Sequence, residues 1–180
     1  EADMVLPKAE KPMGKTHLVF AGNIGHLQSV ETLVKAAKLL EDTDVTISVA
    51  GDGSAKESCE KLAEALAVTN LTFLGKKPFS EMPALYASAD AMVLTLAKND
   101  LIAHTLPNKL MGYMAAGKPI IASADKESAR VVAEAKCGFT APAEDERALA
   151  QAIRDFIQSK DKAALGKNAR KYYEQHFTTD

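Results

Sequence analysis

"HLVFAGNIGHLQSVETLVKAAKLL", His17 to Leu40, is the stretch that decides the fold. It opens on an apolar run of strand character, His17 to Gly22, and passes through a polar, glycine-punctuated turn. Beyond the turn, Val30, Leu33, Val34, Ala37 and Leu40 recur at the spacing of one helical face. The unit is strand, glycine turn, helix. The same grammar runs down the chain. "VTISVAGDG" leads into a helix from Cys59 to Leu66, and "LTFLG" leads into "SEMPALYASA", where Ser80 is the expected N-cap. "AMVLTL" leads through a loop, Ala97 to Lys109, into "NKLMGYMAA". "KPIIAS" leads into "DKESARVVAEA", and "CGFTA" into "DERALAQAIRDFIQ". Strands that are continuously apolar, each followed by a helix, belong to a parallel sheet covered on both faces. The expected fold is α/β: a doubly wound, six-stranded, Rossmann-like sheet in the order 3-2-1-4-5-6. A last helix, in "KAALGKNARKYYEQHFTTD", places Leu165, Ala169 and Tyr172 on one face.

The 180 residues, 47% of them hydrophobic, suffice to bury the core of one domain. A formal net charge of -2 gives no general attraction to nucleic acid or to anionic lipid, so an anion site has to be built locally. Cys59 and Cys137 are too few for a disulfide framework or a four-ligand zinc site, and a reducing cytosol fits them best. Cys59 keeps step with Leu62, Ala63 and Leu66, as a core thiol does. No run is long and apolar enough to span a bilayer, and the expectation is a cytoplasmic domain. "EADMVLPKAEKPMGK", residues 1–15, is polar and punctuated by proline, as the exit of an interdomain linker is; residues 16–180 form the domain.

In an open parallel sheet, ligands bind beyond the carboxyl ends of the strands. The loops there carry Gly22 to Gly25, Gly51-Asp52-Gly53, Leu74-Gly75-Lys76-Lys77, and the long segment ending in Thr105-Leu106-Pro107-Asn108-Lys109. Glycines let a backbone approach a phosphate, and helix N-termini offer unpaired N–H groups to an anion. Neither glycine pair completes a dinucleotide fingerprint, and no Walker A sequence occurs. Lys109 sits at a helix start, where a cation opposes the helix dipole at a cost of about 0.3–1 kcal/mol unless an anion is close. His104 lies in the longest loop without a partner carboxylate in view, and His17 and His26 are weaker candidates. No acid pair, nucleophile triad or metal-ligand spacing stands out. These residues point to a phosphate-bearing ligand and name no reaction.

"FAGNIGHLQSVETLVKAAKLL", "VAGDG", "NLTFLGKKPFSEMPALYASADAMVL", "LPNKLMGYMAAGKPIIAS", "CGFTAPAEDERALAQAI" and "ARKYYEQHF" follow one another over nearly the whole chain. Together they resemble the C-terminal, donor-binding half of family 4 (group 1) retaining glycosyltransferases of the GT-B fold. The start "GNIG" and "PNKL…YMAAGKP" are most similar to the bacterial branch that builds surface polysaccharides, often from amino-sugar donors. The resemblance implies two Rossmann-like halves, of which this is one, with the acceptor site on a missing N-terminal domain. It implies a nucleotide-sugar substrate, UDP-linked in preference to GDP-linked, and no divalent metal or other cofactor. It also implies a full-length protein that is cytoplasmic or peripheral at the inner membrane, and a fragment without transferase activity of its own.

By position, the resemblance puts Gly22, Asn23 and Gly25 beside the donor diphosphate. It puts Gly51, Asp52 and the backbone of Leu74, Gly75 and Lys76 around the nucleobase. The segment Thr105 to Leu110 (Thr105, Leu106, Pro107, Asn108, Lys109, Leu110) would put backbone N–H groups, none from Pro107, and the Lys109 ammonium against the phosphates. Relatives usually carry Glu-x7-Glu here, the first near the sugar and the second on the ribose hydroxyls; those positions are His104 and Gly112. A lost carboxylate–ribose bond is worth about 1.5–3 kcal/mol, and glycine inside a helix costs about 1 kcal/mol against alanine. The phosphate-gripping Arg and Lys of many relatives correspond to Asn23 and Gln28. Two alternatives remain open: a degenerate, non-catalytic domain kept for assembly, and a sugar-nucleotide epimerase or hydrolase on the same fold.

Overall fold

The computed structural model describes residues 15–178. The expected linker, residues 1–15, lies outside the described residues except for Lys15. Six strands form one parallel sheet: β1 (His17–Ala21), β2 (Thr46–Ala50), β3 (Leu71–Gly75), β4 (Ala91–Thr95), β5 (Ile120–Ser123) and β6 (Gly138–Ala141). Their order is β3-β2-β1-β4-β5-β6, as the sequence predicts. The helices are α1 (Val30–Leu39), α2 (Lys56–Ala65), α3 (Met82–Ser88), α4 (Asp100–Ala103), α5 (Asn108–Ala115), α6 (Glu127–Ala135), α7 (Glu146–Gln158) and α8 (Lys162–His176).

Alternation along β1 divides the core. Leu18 and Phe20 face a cluster filled by α1, α7 and Cys59 of α2, whereas Val19 and Ala21 face a second cluster filled by α5, α6 and α8. All five residues of β1 and of β4 are buried, which is why both read as unbroken apolar runs. α1 buries Val30, Leu33, Val34 and Ala37 as expected, and Ala36 with them. In α8, Ala169 and Tyr172 are buried and Leu165 packs against the first cluster. Gly166 is also buried: a Cβ there would come within 2.5 Å of the Gly117 carbonyl, so α8 lies backbone-close on the turn that joins α5 to β5.

Two local expectations need correction. Ser80 is not a helix cap. It lies inside a 3₁₀ turn, Phe79–Glu81, and Glu81 occupies the N-cap position of α3 without a side-chain bond. Pro83 at the start of α3 supplies a preset φ and gives up only an N–H that would be unpaired anyway. The segment from Ala97 to Lys109 is not wholly loop. It contains α4, a single turn whose cap is the Asn99 side chain accepting from the Ile102 N–H at 3.1 Å.

Candidate functional site

At the carboxyl edge the sheet opens. β1 pairs with β4 only at Leu18 and Val19, so the main chain of Ala21 has no strand partner on that side. Tyr113 of α5, fully buried, fills the gap. Its hydroxyl donates to the Ala21 carbonyl at 2.7 Å and accepts from the Ala21 N–H at 3.1 Å. Burial pushes the Tyr113 phenol far above its ordinary value, so it stays protonated and keeps donating. This is the topological switch point, where an open α/β sheet leaves its crevice.

On the other side of β1 the loops continue the ladder past the strands. Ala21 stands opposite Ala50, so Gly22 and Gly51 emerge side by side. Gly22 N–H donates to the Ala50 carbonyl at 3.0 Å, Ile24 N–H to Asp52 at 2.9 Å, and Gly51 N–H to Gly75 at 2.9 Å. A Cβ on Gly51 would lie 1.8 Å from the Gly22 oxygen, at a φ of +143°. That contact, and not turn chemistry alone, demands glycine. Between these main-chain walls lies an open cleft of about 520 Å³, lined by Gly22, Asn23, Gly51, Asp52 and Lys76, together with Ala50, Gly53, Lys77 and Met82.

The first five of those lining residues were expected from sequence; the last four were missed as site residues. Gly53 and Lys77 sit in loops already singled out, and their neighbours Asp52 and Lys76 were the available signal. Met82 had none, because an apolar residue opening a helix reads as core. Gly25 stays behind the cleft: its N–H and the Asn23 amide both donate to the Gln28 side-chain oxygen, at 3.0 and 3.2 Å, so Gln28 braces the loop. Leu74 turns into the second core cluster, and Gly75 contributes the carbonyl that receives Gly51. His17 is structural, with its ring between the Ser48 hydroxyl at 2.8 Å and the Ser88 carbonyl at 3.0 Å.

α5 begins with Pro107 at the N-cap and no side-chain cap. Within the segment Thr105 to Leu110, not every N–H is free to meet an anion. The N–H of Thr105 is bonded to Ile102 and that of Leu110 to Pro107, which leaves those of Asn108 and Lys109 without an intrahelical acceptor. Leu110 is core, Leu106 packs on the second cluster, and Asn108 is exposed. Lys109 reaches across the end of the sheet. Its ammonium lies 4.6 Å from the centre of the Phe20 ring, and a Cβ on Gly22 would meet Nζ at 2.5 Å. Nζ is buried with no hydrogen-bond partner, and burial lowers its pKa to about 8. Gly112 stands one turn further along α5.

His104 is exposed at the C-terminal end of α4. The carboxylate the sequence did not reveal is Glu127, which opens α6. Its pKa is lowered first by Arg130, bonded to it at 2.6 and 3.0 Å, and to a smaller extent by His104. Among the described residues, no group of three or more His, Cys, Asp or Glu is arranged to hold a metal, and no helix is long and apolar enough to cross a membrane.

The model of the family described as glycosyl transferases group 1 matches residues 5–172. The chain belongs to that family. Among curated relatives it is 31% identical over 167 residues to WbjE of Pseudomonas aeruginosa, named as a probable glycosyltransferase, covering 92% of this chain and 41% of WbjE. It is 27% identical over 125 residues to WcaI of Escherichia coli K12, whose name assigns it to colanic acid biosynthesis, covering 69% of this chain and 30% of WcaI. The glycosyltransferase chain thus spans less than half the length of these relatives. Its fold is that of Anabaena HepE, solved in complex with UDP-glucose, with a TM-score of 0.77 at 19% identity over 91% of this chain and 45% of HepE.

Proposed function

We propose that this group 1 glycosyltransferase chain is the nucleotide-sugar-binding half of a retaining enzyme. The enzyme would move a sugar from a UDP-linked donor to a glycan or lipid-linked acceptor in bacterial polysaccharide biosynthesis. The observation that carries the reading is Lys109. A buried ammonium without a hydrogen-bond acceptor, held against the main chain of Gly22 beside a glycine-walled cleft, lacks an anion to answer it. A donor diphosphate supplies that anion, and the free N–H groups at the start of α5 add donors to the same spot. The long cleft past Gly51 to Lys76 and Met82 then receives the nucleoside.

In this mechanism the chain stabilises the leaving diphosphate as the glycosidic bond to it lengthens. The anomeric carbon faces an acceptor hydroxyl held by a second half of the protein, so the contribution here is positioning and electrostatics. HepE, which has this fold and binds UDP-glucose, favours UDP over GDP; WcaI favours a surface polysaccharide as the product. Calorimetric titration of the chain with UDP and GDP tests the donor site. Binding of UDP in preference to GDP is the expected result, and binding of neither at millimolar concentration overturns the reading. Retention is tested separately, by the anomeric configuration of the product that the whole protein forms.

A further inference from the structure

We propose that diphosphate binding in this cleft takes up a proton at Lys109, so that donor affinity declines on the alkaline side of neutrality. The inference rests on the donor-site reading above and concerns how that site is regulated. Without a ligand, the Lys109 ammonium lies 4.6 Å from the centre of the Phe20 ring and in contact range of Gly22, with no acceptor for any of its protons. An ammonium in that position lacks a counter-charge, and its burial weakens the charged form relative to the neutral amine. Burial accordingly brings its pKa down to about 8. A diphosphate placed at Gly22 and the start of α5 reverses the balance, because it supplies charge and acceptors together. The amine then takes one proton from solvent and the phosphate oxygens receive the N–H bonds; no covalent bond changes.

Other ionisable groups stand on the loops around this edge. They are His26 after β1, Asp52 after β2, Lys76 and Lys77 after β3, Lys98, Asp100 and His104 after β4, Asp125, Lys126 and Glu127 after β5, and Glu144 after β6. None of these makes a hydrogen bond to Lys109 Nζ, and burial is the sole cause of its lowered pKa. α5 itself carries no other charged residue. The β-phosphate of UDP, with a last pKa of about 6, is already fully ionised at pH 8.5 and exchanges no proton there.

The test is calorimetric titration with UDP at pH 8.5 in two buffers of widely different ionisation enthalpy, repeated for affinity at pH 7, both below the range where the uracil ring of UDP ionises appreciably. With the free amine at about 8, roughly three quarters of a proton is taken up per UDP at pH 8.5, and affinity falls about fourfold from pH 7 to pH 8.5. Lys109→Arg, which cannot lose its proton, binds UDP with no uptake and with affinity independent of pH over that range. UDP that binds the unmodified chain without proton uptake and equally at both pH values overturns the linkage and leaves the donor site standing. UDP that fails to bind at either pH overturns both.

Discussion

Replacing Lys109 by methionine should strengthen the fold while it removes the ligand. Methionine is unbranched and one atom shorter than lysine; it keeps an apolar stem of the same reach as far as Cε and discards the ammonium that burial penalises. The penalty follows from proton affinity: an amine moved from 10.5 to about 8 on folding, at about 1.36 kcal/mol per pH unit, handicaps the folded state by on the order of 3 kcal/mol. Below pH 8 the handicap is present in full, because folded and unfolded chains both carry the charge and only the folded one buries it. Between pH 8 and 10.5 the unfolded chain binds more proton than the folded one, so stability of the unmodified chain rises with pH and the handicap fades. Lys109→Met should therefore melt about 6–12 °C higher at pH 7, a difference that closes by pH 10.5. Thermal melts followed by circular dichroism across pH 7 to 10.5 measure it, with UDP titration alongside. A variant no more stable than the parent at pH 7, or a difference that ignores pH, refutes the claim that Nζ is a charge buried without a partner.

Three further outcomes follow from the main-chain walls and their supports. Gly51→Ala drives a Cβ into the Gly22 carbonyl and should cost more than about 2 kcal/mol, whereas Gly75→Ala, at φ +76° with nothing within 4 Å, should cost only the backbone strain of about 1–2 kcal/mol; urea unfolding of the pair separates overlap from strain. Tyr113→Phe leaves the Ala21 carbonyl and N–H without their hydroxyl and should lower stability by about 1–3 kcal/mol, read as a shift in the urea midpoint. Asp145→Ala removes the cap that receives the Ala148 N–H at 2.9 Å, and should cost about 1 kcal/mol with hydrogen exchange accelerating first at the start of α7.

The sheet was legible because its strands are buried on both faces, and such strands write themselves as apolar runs separated by helical spacing. "HLVFA" and "AMVLT" carry that signal without interruption. α4 escaped because a helix of four residues is too short to show a period, and Ser80 misled because a cap residue in sequence becomes a cap only if the chain enters the helix at that point. The glycines of the cleft announced a close approach but not its partner, since the oxygen that meets Gly51 comes from a different loop. Lys109 was singled out by its poor position at a helix start. Its burial could not be read, because a long side chain crossing from α5 to Phe20 depends on where two distant elements end.

The cleft wall is built of peptide groups bonded to peptide groups, from Gly22 to Ala50 and from Gly51 to Gly75. Its shape is therefore set by the main chain more than by the side chains that border it. Lys76, Lys77 and Met82 border the cleft outside those main-chain bonds, whereas Asn23 braces its loop through Gln28 and Asp52 accepts from the Gly53 N–H at 2.8 Å. For protein engineering this makes Lys76, Lys77 and Met82 a palette for retuning which nucleotide is held, while Gly22 and Gly51 are the fixed points any library should leave untouched.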